Sequence, residues 1–204
     1  MVFQKRKQPR RKCEFQTAGA FPNRFLESRR AGGNLPERRG RYRLGLVNNH
    51  MDFAQVLERC DDPGVGRAVL DAISKLFERD RKLLTLDAAE RTVAAQIANY
   101  LRPHFKALDI DVDYNRMGDV PKTVAYDEKP ERVYPDIIVH VRGDNTANVL
   151  VIELKKDTNR EMKDRDIRKL RAYRRELEYR HALFLRIGTG ESAGAIMECE
   201  WVDA

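Results

Sequence analysis

The sequence predicts an α/β domain in three layers, with helices on both faces of a mixed central sheet. Three observations carry that expectation. Residues 134–156 hold two short β-branched runs, Ile137-Ile138-Val139-His140-Val141 and Val149-Leu150-Val151-Ile152, bounded by Pro, Gly and Asn, a pattern of strands rather than helix. Apolar residues at helical spacing flank these runs on both sides, in residues 64–82 and 88–102 before them and 160–179 after them. Hydrophobic residues make up 42% of the chain and charged ones 35%, the balance of a soluble domain with a modest core.

The first 50 residues stand apart. They hold 13 Lys and Arg against 3 Asp and Glu, whereas the other 154 hold 26 against 29, so the net charge of +7 belongs to this tail. Basic clusters (Lys5-Arg6-Lys7, Arg10-Arg11-Lys12, Arg38-Arg39) lie among Gly, Pro and Asn without apolar periodicity, the composition of a disordered segment that binds phosphates without sequence preference. The abrupt change near Met51 also fits an upstream extension of a protein that begins there. Residues 51–204 are expected to be the folded domain. Cys13, Cys60 and Cys199 are widely spaced and odd in number, which argues against a disulfide framework or a zinc site and fits a reducing cytoplasm. No apolar run reaches membrane-spanning length, and the N-terminus lacks the apolar core of a signal peptide.

Helices are expected over 52–60 and 64–82, separated by Asp61-Asp62-Pro63-Gly64, with Val65, Val69, Ile73, Leu76 and Phe77 on one face. A third spans 88–102, with Val93, Ile97, Tyr100 and Leu101 as its stripe and Pro103 closing it. Asp87 as N-cap with Glu90 three residues on reads as a capping box. Residues 109–115 alternate as a strand, followed by the turn Arg116-Met117-Gly118-Asp119 and by Lys122-Thr123-Val124 pairing back. Arg116 and Lys122 are candidate phosphate contacts near the open end of the sheet. Asp127 to Arg132 is expected to be a polar loop. In the helix over 160–179, Ile167, Leu170, Tyr173 and Leu177 face the sheet, while Lys163, Arg165, Arg168, Lys169, Arg171, Arg174 and Arg175 form a basic side interleaved with acids. Residues 181–187 and 194–202 complete the strands, with Gly188-Thr189-Gly190 between them.

The central hairpin carries charge at one end. Gly143-Asp144-Asn145-Thr146 suits a tight turn, and a two-residue turn at Asp144-Asn145 sets Asp136 opposite Glu153. Alternation then places Asp136, Glu153 and Lys155 on one face, the two acids with Cα atoms roughly 4.5–5.5 Å apart. Such carboxylates repel unless a shared proton or a divalent cation holds them together. His140 lies on the same face, farther inside, as a core histidine.

Pro135-Asp136 followed by Glu153-x-Lys155 resembles the signature of the PD-(D/E)XK nuclease superfamily, and the resemblance covers about the last 120 residues. It implies a restriction-endonuclease-like αβββαβ core and a metal-dependent nuclease acting on DNA more than on RNA. Asp136, Glu153 and Lys155 would be catalytic. Asp136 and Glu153 would bind Mg²⁺ or Mn²⁺, with the Leu154 carbonyl as a further candidate, and Glu90 would complete the metal set as the alternative to its capping role. Lys156, on the opposite face, is left a phosphate contact. Lys169-x-x-x-Tyr173 is similar to the Gln-x-x-x-Tyr motif of exonuclease-like members, with lysine replacing glutamine. Lys169 is thus a nucleic-acid contact, and Tyr173 reads as core. A homodimer fits the cutting of two strands. The alternative is a non-catalytic nucleic-acid-binding module on the same fold.

Overall fold

Asp62 starts the first helix. Its Oδ1 accepts from the backbone N–H of Gly64 (2.7 Å) and Val65 (3.2 Å), and Pro63 occupies the first turn, where its missing N–H costs nothing. The computed structural model describes residues 59–127, 129–143 and 145–204, all within a compact unit running from Leu46 to Ala204. The basic tail and all but the last two residues of the expected 52–60 helix lie outside the described residues.

Helix α1 (Pro63–Arg79) buries Val65, Val69, Ala72, Ile73 and Leu76. The expected helix over 64–82 is interrupted at Asp80, whose carboxylate accepts from the Tyr100 hydroxyl at 2.5 Å. The short α2 (Arg81–Thr85) follows, and α3 (Glu90–Leu101) buries Val93, Ile97 and Leu101. The capping box does not form. Asp87 sits at φ 52° with its carboxylate turned to Lys156 and Thr158, and Ala89 takes the N-cap position without a side-chain bond.

The main sheet runs in the order β1 (Asp109–Val112), β6 (Ile137–His140), β7 (Leu150–Lys156), β8 (His181–Ile187), β9 (Ile196–Trp201). Only β7 and β8 pair in parallel, so the sheet is mixed as expected. Helix α4 (Lys163–Leu177) makes the crossover between those two strands, the connection that parallel pairing requires. Side-chain alternation splits the core in two. Ile137, Val139, Leu150, Ile152, Leu183 and Leu185 pack against α1 and α3. Ile138, Val151, Ala182 and Phe184 pack on the other side against Ile167, Leu170, Tyr173 and Leu177 of α4. Three layers result.

Other expectations shift at the edges. Strand β1 stops at Val112 because Asp113 takes a left-handed conformation, φ 52°, which breaks the pleat. The next segment forms two small ribbons, β2 (Arg116–Met117) with β3 (Val120–Pro121) and β4 (Thr123–Val124) with β5 (Glu131–Arg132). Thus Lys122-Thr123-Val124 does not return to β1, and the expected polar loop contains β5. The link from β6 to β7 is no two-residue turn. It spans residues 141–149 and includes a short 3₁₀ turn at Asn145–Ala147. Competing bonds hold it open: Arg142 pairs with Asp109 and Asp111, and the buried Asn148 amide donates to the Leu177 carbonyl at 2.6 Å. The register nevertheless is the expected one, with Ile137 opposite Ile152 and Ile138 opposite Val151.

Candidate functional site

Continuing that register by one step puts Asp136 opposite Glu153. Asp136 follows the buried Pro135, and its Oδ2 accepts from the backbone N–H of Leu154 at 2.7 Å, a bond across the hairpin that fixes the carboxyl against β7. Glu153 is 2% exposed. One oxygen accepts from the Tyr173 hydroxyl at 3.0 Å and the other from Lys169 Nζ at 3.4 Å. Both acidic residues face α4, the side shared by Ile138 and Val151.

Burial dominates their chemistry. Removal from water pushes the Asp136 carboxyl up to about 6, against which the Leu154 N–H works. Burial, and then the neighbouring Asp136, push Glu153 up to about 8. The Lys169 contact with Glu153 has the geometry of an ion pair, but Lys169 lies closer to Asp166, at 3.0 Å, and does not offset the burial of Glu153. Near neutrality Glu153 therefore retains its proton.

Lys155 is buried beside them. Its Nζ lies 3.3 Å from Glu161 Oε2 and 3.7 Å from Asp166 Oδ2. Burial disfavours its charge, yet Asp166, Asp136, Glu90 and Glu153 together hold its pKa above the ordinary lysine value. Lys169 behaves in the same way, burial being outweighed by Glu153 and Asp166. The acids Asp136, Glu153, Asp166 and Glu90 thus surround the lysines 155 and 169, and full ionisation would leave two surplus negative charges.

Two residues of this group escaped the sequence reading. Asp166, one of the acids interleaved with the basic residues of this helix, is 3% exposed and bridges both lysines. A signal was present: Asp166 lies four residues before Leu170 and seven before Tyr173, on the apolar stripe itself. Tyr173 is core, as expected, but its hydroxyl also reaches Glu153. A shallow cleft of about 210 Å³ lined by Glu161, Met162, Arg165, Asp166 and Lys169 opens beside the group.

The remaining candidates have other partners. Glu90 Oε1 accepts from the backbone N–H of Lys156 (3.0 Å) and from Asn159 Nδ2 (2.9 Å), so it anchors the end of β7. Among the described residues, Glu90, Asp136 and Glu153 do not bring three ligand atoms within 4.8 Å of one another. Lys156 Nζ pairs with Asp87 Oδ1 at 2.9 Å. Arg116 is exposed on β2 and makes no hydrogen bond or ion pair to the carboxylate group. Lys122 is corrected outright: it is 1% exposed, donates to the Tyr179 hydroxyl at 3.0 Å and lies against the Tyr114 and Tyr179 rings, out of reach of any phosphate. His140 is the satisfied core histidine expected, 2.9 Å from Asp111. On α4, Arg165, Arg168, Arg174 and Arg175 are bonded to Tyr126, Asp127, Val202 and Ala125.

No family model matches the chain, and no curated protein matches it. A solved structure described as "Crystal structure of SSO0001" is similar at 14% identity over 74% of this chain and 73% of that one, with a TM-score of 0.33, a likeness too slight to carry an argument. Among the described residues no helix is long and apolar enough to cross a membrane.

Proposed function

We propose that the chain is a metal-dependent nuclease, cutting DNA in preference to RNA, on a restriction-endonuclease-like core of the PD-(D/E)XK kind. The observation that carries this reading is the placement of Asp136 and Glu153 across adjacent strands, Glu153 buried and Asp136 half-buried, with Lys155 on the same face. An ordinary hairpin gains nothing from opposing carboxyls largely withdrawn from water, since each costs free energy to ionise.

The donor set fits a hard divalent ion. Mg²⁺ is commonly held by one or two carboxylates and otherwise keeps its waters, so Asp136 and Glu153 suffice as protein ligands and Glu90 is not required among them. Such an ion, Mg²⁺ or Mn²⁺, supplies a bound water of lowered pKa and a ligand for a phosphate oxygen. The surplus of negative charge among the acids and lysines favours its uptake.

The chain's own groups divide the rest of the work. Lys155, kept protonated by Asp166 and its neighbours, stabilises negative charge developing on the phosphate. Tyr173 and Lys169 hold the two oxygens of Glu153 in place. Lys169, at the cleft, also lies where a phosphate would approach. A homodimer would serve to cut both strands.

The test is incubation of the purified protein with duplex DNA and with RNA, with and without Mg²⁺ or Mn²⁺. Asp136→Ala, Glu153→Ala and Lys155→Ala are each expected to abolish metal-dependent cleavage. Cleavage retained in all three, or salt-sensitive binding with no product in the wild type, refutes the proposal; the second result points to a binding module.

A further inference from the structure

A second group of potential ligands lies on the opposite side of the sheet. We propose that Cys60, Asp61 and His181 bind one divalent transition ion of the zinc type, at a site separate from the carboxylate pair. One ligand atom from each residue, a thiol sulfur, a carboxylate oxygen and an imidazole nitrogen, lies within 4.8 Å of the other two. Zinc bonds of about 2.0–2.3 Å place neighbouring ligand atoms roughly 3.3–3.8 Å apart in a tetrahedron, so small side-chain movements close the set. His181 Nδ1 already stands 2.9 Å from Asp61 Oδ1.

The donor chemistry selects the ion. A sulfur and an imidazole suit zinc, cobalt or nickel and do not suit Mg²⁺ or Ca²⁺. Both ends of the set are held by regular structure. The His181 backbone N–H donates to the Val149 carbonyl at 3.0 Å at the start of β8. Cys60 stands two residues before Asp62, which caps α1, and its thiol donates to the Asp62 carbonyl at 3.1 Å, a bond given up when an ion takes the thiolate. Cys60 and His181 are buried while Asp61 is exposed, so the ion would enter from the Asp61 side with water as its fourth ligand. Binding releases the thiol proton to solvent.

The set is distinct from the carboxylates by position. His181 pairs with Leu150, whereas Glu153 pairs with Phe184, three residues or about 10 Å along the strand. His181 also shares its face of β8 with Leu183 and Leu185, away from α4. Sequence spacing hid it, because Cys60 and His181 are joined only by the fold.

Chelator-treated, reduced full-length protein titrated with Co²⁺ tests the site. One equivalent is expected to bind with a thiolate-to-cobalt charge-transfer band and visible bands of tetrahedral cobalt, both lost on adding Zn²⁺. Cys60→Ser removes the charge-transfer band. Asp61→Asn, at an exposed position that leaves the core intact, keeps the band but weakens binding about tenfold or more, since even an outer-shell partner is typically worth about 10–100-fold. No charge-transfer band in the wild type, or a band that survives Cys60→Ser, overturns the proposal.

Discussion

Glu153→Gln should make the protein less sensitive to rising pH, a consequence of burying a carboxyl whose proton is held up to about 8. Between the ordinary value, 4.5, and that raised one the folded chain keeps a proton that the unfolded chain has released. Folding stability therefore falls as pH rises through this window, and the loss is complete above it. Each unit of difference is worth about 1.4 kcal/mol, so from about pH 5.5 to about pH 7.5 the Glu153 contribution falls by about 2–3 kcal/mol. Asp136 adds to the slope only below about 6. Glutamine keeps the shape and still accepts from the Tyr173 hydroxyl, but it has no proton to release. Urea unfolding of both proteins across that range, in chelator, measures the effect, and subtracting one curve from the other cancels the histidines common to both. Wild type should lose about 2–3 kcal/mol relative to the variant. Parallel curves would mean that Glu153 is ionised inside the fold, and the account of a buried, protonated acid would be wrong. Saturating Mg²⁺ should flatten the wild-type slope, because a cation held by the ionised carboxylates stabilises the state that high pH otherwise disfavours.

Tyr173→Phe removes the hydroxyl that donates to Glu153 and is expected to cost about 1–1.5 kcal/mol of unfolding free energy in denaturant titration, with the Glu153 titration moving still higher. Asp166→Asn takes the bridging charge from two poorly exposed lysines and should destabilise by about 1–3 kcal/mol, read by thermal unfolding at neutral pH. Lys122 is pushed by burial down to about 8 from 10.5, so the unfolded chain binds the extra proton between those values. The Lys122 contribution should accordingly rise with pH across that window by about 1.4 kcal/mol per unit, read as the difference between the wild-type and Lys122→Met unfolding curves, which cancels the cysteines and tyrosines common to both.

Much of the site was legible because strand pairing is arithmetic. Once Ile137–Val141 and Val149–Ile152 are recognised as antiparallel neighbours, a register that sets Asp136 opposite Glu153 puts both acids and Lys155 on one face, whereas a slip of one residue would part Asp136 from the other two. The register came out as expected even though the turn inferred for it did not form, since the apolar residues of both strands must fill the same two cores. The helix stripes were equally readable: Ile167, Leu170, Tyr173 and Leu177 are all buried.

Local reasoning failed where a distant partner competed for a side chain. Asp87 and Glu90 have the spacing of a capping box, but Lys156, Thr158 and Asn159 claim both carboxylates. Lys122 looks like a surface base and is instead enclosed by Tyr114 and Tyr179. Asp166 carries a charge that reads as solvated until Lys155 and Lys169 close over it.

The sequence by itself determined the strand parity, the buried stripes and hence which charged groups could share a face, because these follow from periodicities of the backbone. Only the tertiary structure decided which of those groups lose their water and which partners they then acquire. That depends on segments far apart in the chain, as when α4 brings Tyr173 and Lys169 onto Glu153. Dehydration, rather than proximity alone, is what raises the two carboxyls and makes them chemically unlike the other acids among the described residues.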